Sequence, residues 1–274
     1  MKTNKIAIVA IIAIIVAVVS IGSCSAGLFD FLGGNSTDTS LNGQEVNLAA
    51  AASLKNVYDE KLIPMFEEKY PGVKVTPTYA SSGDLQTQIE NGLETDVFMS
   101  AANKQMNALA NESLVDNKTN VQSLENKVVL IVPKDSKANI SSFDDLKKVN
   151  GTIAIGDPES VPAGQYAKEV LNNTGLWSDV ESKLSLGTDV TAVLNQVSQG
   201  SADCGIVYAT DAKSDDNVKV VCEAPEGSLK TPVIYPVAVL SNASNPDGAH
   251  AFVDFLQTKE AKDVFVEYGF TIHE

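Results

Sequence analysis

Three turns in the sequence combine small residues with groups that can donate hydrogen bonds, and each follows a predicted strand. The first, residues 50–54 (AAASL), carries Ser53; the second, residues 79–85 (YASSGDL), carries Ser82; the third is residues 155–166 (IGDPESVPAGQY). Small side chains let backbone N–H groups approach a ligand, and each serine stands at the predicted start of a helix. Because a helix N-terminus has unpaired N–H donors and about half a positive charge, such ends bind anions without a formal cation.

A purely structural role for the two serines is the alternative. Ser53 and Ser82 could each be an ordinary helix N-cap, which contributes about 1 kcal/mol to helix stability. A single turn would favour that interpretation. Three turns of this kind in one sequence give more weight to an anion site, although they do not exclude the N-caps.

The charge of the protein limits its partners. Its 274 residues contain 20 Lys+Arg, all of them Lys, against 35 Asp+Glu, for a formal net charge of −15. Binding to nucleic acid depends on clustered Lys and Arg, so no nucleic-acid partner is expected. Without Arg there is no guanidinium to clamp a phosphate or carboxylate. Hydroxyls and backbone amides therefore remain as the donors for an anion.

Strands and helices alternate after residue 45, which indicates an α/β fold with sheets covered by helices. Apolar runs predict strands at residues 46–50, 73–79, 96–100, 128–132, 152–155, 204–208, 218–222 and 233–240. Helices are predicted at residues 53–69 (kinked or restarted at Pro64), 82–90, 104–110, 164–172, 190–198, 247–256 and 260–268. In such folds ligands bind at the carboxyl ends of strands, where the three turns lie.

The N-terminus is typical of an exported protein. Lys2 and Lys5 are followed by an unbroken apolar run at residues 6–19, which is short for a membrane span and predicts a signal peptide over residues 1–23. A retained N-terminal anchor helix is the alternative. Cys24 follows Ile-Gly-Ser, which resembles a lipobox, so residues 24–45 are predicted to be a lipid-anchor site and a flexible tether. Both alternatives place the rest of the protein outside the cytoplasm, tethered to the outer face of the cell membrane.

Two further cysteines, Cys204 and Cys222, lie in apolar strand-like runs. Outside the cell they could form a disulfide, worth about 3 kcal/mol in the chain-entropy model. A buried free thiol is equally ordinary in such runs, so both states stay open. A conventional metal site is not expected, because there is no Cys-x-x-Cys and the two histidines, His250 and His273, are far apart.

Over residues 46–274 the sequence resembles the molybdate-binding receptors of molybdate ABC importers. The resemblance rests on the two serine turns and on four further matches: GDPESVPAGQYA at residues 156–167, GIVY at 205–208, YPVAV at 235–239 and YGF at 268–270. It implies a two-lobed periplasmic-binding-protein fold (type II-like) with the ligand in the interlobe cleft. Lobe 1 would comprise residues 46–126 plus 234–274, and lobe 2 residues 127–233.

The resemblance also implies a set of neutral ligand donors. These are the hydroxyls of Ser53, Ser82 and Tyr208 and the backbone amides of Ala163 and Val190. A core tyrosine is the structural alternative for Tyr208. The sequence departs from the family after Ser82, where Gly83-Asp84 stands in place of the common Ser-Thr. We expect the Asp84 carboxylate to point away from the anion.

The function that this resemblance implies is an extracytoplasmic receptor that binds molybdate, and also tungstate, and delivers it to an ABC permease with its ATPase. We expect a monomer without enzyme activity or cofactor, in which the anion draws the two lobes together. Alternatives are a receptor for another tetrahedral oxyanion (sulfate or phosphate), or an exported serine hydrolase with Ser53 or Ser82 as nucleophile. The hydrolase is disfavoured because the sequence has no Gly-x-Ser-x-Gly elbow. A plain surface adhesion module would bind no small ligand.

Overall fold

Residues 41–274 are the part of the chain that the structure, a computed structural model, describes. The predictions for the signal peptide, for Cys24 and for most of the tether lie outside these residues. The last five residues of the predicted tether differ from the expectation. Leu41 is buried, and the Gly43 N–H donates to the carbonyl of Gly72 at 2.9 Å. The folded body therefore begins before residue 46.

Two β-sheets organise the described residues. Their strands are β1 (Glu45–Ala51), β2 (Lys74–Ala80), β3 (Val97–Met99), β4 (Val121–Asn126), β5 (Val128–Pro133), β6 (Ile153–Gly156), β7 (Leu184–Gly187), β8 (Cys204–Tyr208), β9 (Val218–Glu223), β10 (Val233–Val239) and β11 (Thr271–Ile272). The first sheet has the order β11-β4-β10-β3-β1-β2, and the second has the order β7-β6-β8-β5-β9.

The helices lie between these strands. They are α1 (Lys55–Val57), α2 (Ile63–Lys69), α3 (Ser82–Glu90), α4 (Asn103–Asn111), α5 (Pro162–Asn173), α6 (Trp177–Val180), α7 (Val190–Ser198), α8 (Ala209–Lys213), α9 (Pro246–Leu256) and α10 (Lys259–Glu267). A 3-10 turn, Ala52–Leu54, precedes α1, and a π-helical segment, Tyr58–Leu62, joins α1 to α2. The sequence predicted a kink or a restart at Pro64; the backbone in fact stays helical through Leu62 and Ile63, and Pro64 lies where the π-helical segment changes to α2.

Parallel strands bring the predicted turns together. β1 pairs in parallel with β2 and β3, so that Ala51 lies opposite Ala80 and Ala50 opposite Met99. The turns that follow these strands share one edge of the first sheet. In the second sheet β6 pairs in parallel with β7 and β8, and their carboxyl ends form a corresponding edge.

The division of the strands between the sheets confirms the two-lobed fold. Strands from residues 45–126 and 233–272 make the first sheet, and strands from residues 128–223 make the second. The chain passes between them next to Lys127 and again between β9 and β10. The residue-level lobe boundaries stay a prediction.

The sequence patterns missed three strands, β4, β7 and β11. β4 is the clearest case, because its sequence, VQSLEN, contains four polar residues and alternates irregularly between buried and partly exposed positions. It is a strand because β10 and β11 pair with it from both sides. Pairing across the sheet, which local sequence does not report, decides such a segment.

The two body cysteines are free thiols, so the disulfide that the sequence left open is absent from the structure. β8 and β9, which carry them, pair with opposite edges of β5, and Leu130 lies opposite both Ile206 and Cys222. Because neighbouring strands are about 4.8 Å apart, two strands separated by a third are about 10 Å apart. A disulfide needs Cα atoms within roughly 7 Å.

Between residues 41 and 274, no helix is long and apolar enough to cross a membrane.

Candidate oxyanion site

All five predicted ligand residues line one small cavity between the two sheets. The cavity is small, and most of its lining residues have short side chains. Its walls are the following residues: Ala51, Ala52, Ser53, Ala80, Ser81, Ser82, Ala101, Val161, Pro162, Ala163, Val190 and Tyr208. This lining suits a small ligand held by hydroxyls and backbone amides.

Ser82 enters the cavity from the first sheet. It is the first residue of α3 and is fully buried, and its Oγ accepts a hydrogen bond from the Ala101 amide at 3.0 Å. The N-cap of α3 is its neighbour Ser81, whose Oγ accepts from the Asp84 amide at 3.1 Å. The N-cap role therefore belongs to Ser81, and the Ser82 hydroxyl keeps its own hydrogen for a ligand.

Ser53 reaches the cavity from the turn after β1. It lies inside the 3-10 turn Ala52–Leu54, whose N-cap is Ala51. Its Oγ lies 2.9 Å from Oη of Tyr235, a residue of β10 that is 182 positions away in sequence. Like Ser82, Ser53 is therefore not an N-cap, and its hydroxyl faces both a buried tyrosine and the cavity.

The second sheet contributes two helix starts. Ala163 is the second residue of α5, and Val190 is the first residue of α7. N–H groups at these positions have no carbonyl partner within their own helix. The Asp189 side chain caps α7 at the Ala192 amide, 2.8 Å away, and no side chain caps α5. Both amides can therefore serve a ligand in the cavity that their residues line.

A glycine places the start of α5 against β6. A Cβ on Gly164 would lie 2.0 Å from the carbonyl oxygen of Gly156, the last residue of β6. No side chain fits at that distance. The close approach lets the first turn of α5 sit directly over the carboxyl end of the strand, beside the cavity.

Tyr208 supplies the most informative group. It ends β8, is 1% exposed, and its hydroxyl makes no hydrogen bond in the described structure. Burial, followed by the nearby Tyr235, Tyr166 and Asp211, raises its pKa well above the ordinary value, so the hydroxyl keeps its proton. A buried polar group without a partner costs about 1–3 kcal/mol. A ligand that accepts this proton would recover that energy.

Among the described residues, the charged side chains lie outside the lining of the cavity. No Lys, Asp or Glu is among the described residues that line it. A larger neighbouring groove shares Ala52 and Ser53 with the cavity, and Lys55 and Asp211 line it. Burial raises the pKa of Asp211 to about 7, although the Tyr208 amide donates to its carboxylate at 3.2 Å. We place the site in the smaller cavity, because the unpartnered hydroxyl lies there.

The lobes touch across the mouth of the cleft. The Gly83 amide in α3 donates to the Ser160 carbonyl at 2.9 Å, next to the start of α5. A second contact joins α4 to α5, where the Gln105 side-chain amide donates to Gln165 Oε1 at 3.3 Å. The structure thus shows a closed arrangement in which donors from both lobes surround one cavity.

The residues that the sequence singled out are thus brought together, but their role as ligand contacts stays a prediction. Sequence reasoning assigned no role to Tyr235 or to the Ala101 amide, which hold Ser53 and Ser82. Tyr235 lies in a quoted motif, YPVAV, but nothing local pairs it with a serine. Asp84 is not among the described residues that line the cavity, and the direction of its carboxylate relative to an anion stays a prediction.

Comparisons with known proteins give a consistent result. The family model for bacterial extracellular solute-binding proteins matches residues 46–271. The Escherichia coli (strain K12) protein named molybdate-binding protein ModA is 39% identical, over 83% of this chain and 89% of its own length. The Bacillus subtilis (strain 168) protein named "Putative ABC transporter substrate-binding lipoprotein YvgL" is 36% identical, over 82% of this chain and 86% of its own. The solved periplasmic molybdate-binding protein of Azotobacter vinelandii superposes with a TM-score of 0.73 at 20% identity, covering 84% of this chain and all of its own.

Proposed function

Because the chain belongs to the bacterial extracellular solute-binding protein family, we propose that it is the receptor of an ABC importer and that its ligand is molybdate, with tungstate bound at the same site. The observation that carries the proposal is the fully buried Tyr208 hydroxyl, which has no partner and lines a small cavity with the two serines. We assign Ser53, Ser82 and Tyr208 as hydroxyl donors, and Ala163 and Val190 as amide donors.

The donor set fits the charge and protonation of the ligand. Molybdate is a dianion without a proton at neutral pH, so it accepts hydrogen bonds and offers none. Each charge-assisted bond contributes about 1.5–3 kcal/mol net. Several of them, after the costs of desolvation and ordering, correspond to a Kd below about 1 µM.

The choice of molybdate draws on the relatives. The Escherichia coli protein, at 39% identity, is named for molybdate binding. Tungstate has the same charge and shape, which is why we include it. Sulfate is smaller, and its discrimination would depend on how closely the cavity walls fit the anion.

Delivery and location follow from the same family. The Bacillus subtilis relative carries "ABC transporter" and "lipoprotein" in its name. We propose that residues 1–23 direct export and that Cys24 receives lipid. The receptor would then act as a monomer at the outer face of the cell membrane. The closed form with bound anion would be what the permease recognises, by contacts that differ between the open and closed states.

Catalysis is not part of the proposal. A serine nucleophile needs an adjacent base. In the described structure the hydrogen-bonded partner of Ser53 is Tyr235 and that of Ser82 is Ala101, while His273 pairs with Glu125. Ester hydrolysis that is lost in Ser53→Ala would contradict this view.

Side-by-side titration tests the ligand. The full-length protein, purified in mild detergent, is titrated with molybdate, tungstate, sulfate and phosphate, and its melting is followed. We expect molybdate and tungstate to stabilise it by about 2.7 kcal/mol at 100 times Kd, with Tyr208→Phe weakening both. A response to sulfate or phosphate alone would move the protein to a different class of oxyanion receptor. No response to any of the four would refute an oxyanion receptor.

A further inference from the structure

Three side chains form a hydrogen-bonded series that ends at the cavity. Asn126 Nδ2 lies 3.2 Å from Tyr235 Oη, and Tyr235 Oη lies 2.9 Å from Ser53 Oγ. We call this series the Asn126–Tyr235–Ser53 relay. Asn126 stands at the end of β4, where the chain leaves the first sheet. Of the three residues, only Ser53 belongs to the set of proposed ligand donors. The distances alone leave open which hydroxyl donates to which.

The orientation of the Asn126 amide settles the first step. Its Oδ1 accepts a hydrogen bond from the Lys127 backbone N–H at 2.9 Å. A flipped amide would place two donors against each other there, so Nδ2 must face the hydroxyls. One of its hydrogens goes to Thr210 Oγ1 at 2.8 Å and the other to Tyr235 Oη. Asn126 is therefore a donor to Tyr235.

The burial of Tyr235 settles the second step. The residue is 0% exposed, and the described partners of its hydroxyl are Asn126 and Ser53. If Ser53 donated to Tyr235, the tyrosine proton would be a buried donor without an acceptor, which folded proteins avoid. Burial and the charge of Asp211 raise the pKa of Tyr235, so this proton is retained. The Tyr235 hydroxyl therefore donates to Ser53 Oγ.

We propose that Tyr235 is a positioning residue that fixes the Ser53 hydroxyl as a donor to the ligand, with its own direction set by Asn126. The inference rests on the proposed function, since it names how one donor of that site is held. With a lone pair of Ser53 occupied by Tyr235, the serine proton is directed to the cavity. A fully deprotonated oxyanion suits this arrangement, whereas hydrogen phosphate would need an acceptor for its own proton.

A double-mutant cycle on the full-length protein tests the relay. Tyr235→Phe, Ser53→Ala and the double variant are titrated with molybdate and with phosphate. Tyr58→Phe is the matched control: its hydroxyl is also buried but donates to Met99 Sδ. We expect Tyr235→Phe to raise the molybdate Kd about 5-fold, equivalent to roughly 1 kcal/mol, and Tyr58→Phe to change it less than twofold.

Two further readouts separate positioning from a loss of structure. The double variant should bind molybdate within twofold of Ser53→Ala, because Tyr235 acts through Ser53. The preference for molybdate over phosphate should fall at least threefold in Tyr235→Phe, since Ser53 can then accept a proton. Multiplying effects in the double variant, or an unchanged preference, would overturn the inference.

A ligand-free measurement distinguishes this inference from the proposed function. Without ligand, the shift in melting temperature of the double variant should be smaller than the sum of the shifts of Tyr235→Phe and Ser53→Ala, because both substitutions remove the same hydrogen bond. Additive shifts with normal molybdate binding would overturn the relay and leave the receptor function intact. If the wild type binds no oxyanion, the function and the donor role of Ser53 both fail, and non-additive shifts would support only the hydrogen bond.

Discussion

Gly83 offers a direct test of the closed cleft. A Cβ at this position would lie 2.3 Å from the Ser160 carbonyl oxygen and 2.8 Å from Ser160 Cα. Both atoms belong to the backbone of the opposite lobe, so no side-chain rotation relieves the clash. Ordinary van der Waals contact begins near 3.4 Å. Gly83→Ala would therefore force the lobes apart by about 1 Å at this point.

The cost can be estimated from the contacts that such a shift breaks. The 2.9 Å bond between the Gly83 amide and the Ser160 carbonyl would lengthen to about 4 Å, losing about 0.5–1.5 kcal/mol. Ala163 lies three residues beyond Ser160, so its amide would also move away from the anion, at about 1.5–3 kcal/mol. The total of roughly 2–4.5 kcal/mol predicts a molybdate Kd raised about 30- to 1,600-fold.

Calorimetric titration of the full-length protein measures this change, and Gly92→Ala provides the control. Gly92 follows the other end of α3, has φ +90°, and would have nothing within 4 Å of an added Cβ. Alanine there should lower the melting temperature through backbone strain and leave Kd unchanged. A Gly83→Ala Kd within threefold of wild type would show that the ligand-bound lobes do not come this close. An equal loss in Gly92→Ala would assign the effect to α3 stability.

Three further predictions concern buried groups. Tyr208→Phe should raise the free energy of unfolding without ligand by about 1 kcal/mol, because an unpartnered buried hydroxyl is removed. It should also weaken molybdate binding about tenfold. A lower melting temperature together with the weaker binding would contradict this prediction. Asp211 has its pKa raised by burial to about 7, so the folded state binds its proton more tightly than the unfolded state and loses stability as pH rises from about 4 to 7. Asp211→Asn should flatten melting temperature against pH in that window, and an unchanged slope would refute the assignment. Cys204 and Cys222 should both react with a thiol reagent after denaturation without reductant, and reductant should not change the melting temperature; one or no reactive thiol from this pair would indicate a disulfide.

Local patterns in the sequence were sufficient for the strand–turn–helix units around the site. The predicted bounds of α3 and α7 match the structure, and the strands before α3 and α5 were recognised, whereas β7, the strand before α7, was missed. Short-range chemistry explains this success: apolar runs form buried strands, and small residues and helix starts follow them. The α/β class and the location of the site at strand ends follow from these units.

Other features depend on residues that meet only in three dimensions. Ser53 and Tyr235 are 182 positions apart, and their contact exists because β1, β3 and β10 are neighbours in one sheet. The strand identity of β4 and the separation of Cys204 from Cys222 also come from sheet order. No local pattern encodes such pairings.

The sequence by itself determined which donors the protein could offer an anion: serine hydroxyls, helix-start amides and a strand-end tyrosine, with no arginine. Only the tertiary structure decided that the five residues share one cavity, that Tyr208 is buried without a partner, and that Ser81 rather than Ser82 is the N-cap. The physical reason is that donor chemistry belongs to the residue type, whereas burial and the pairing of donors with acceptors belong to the packing of both lobes.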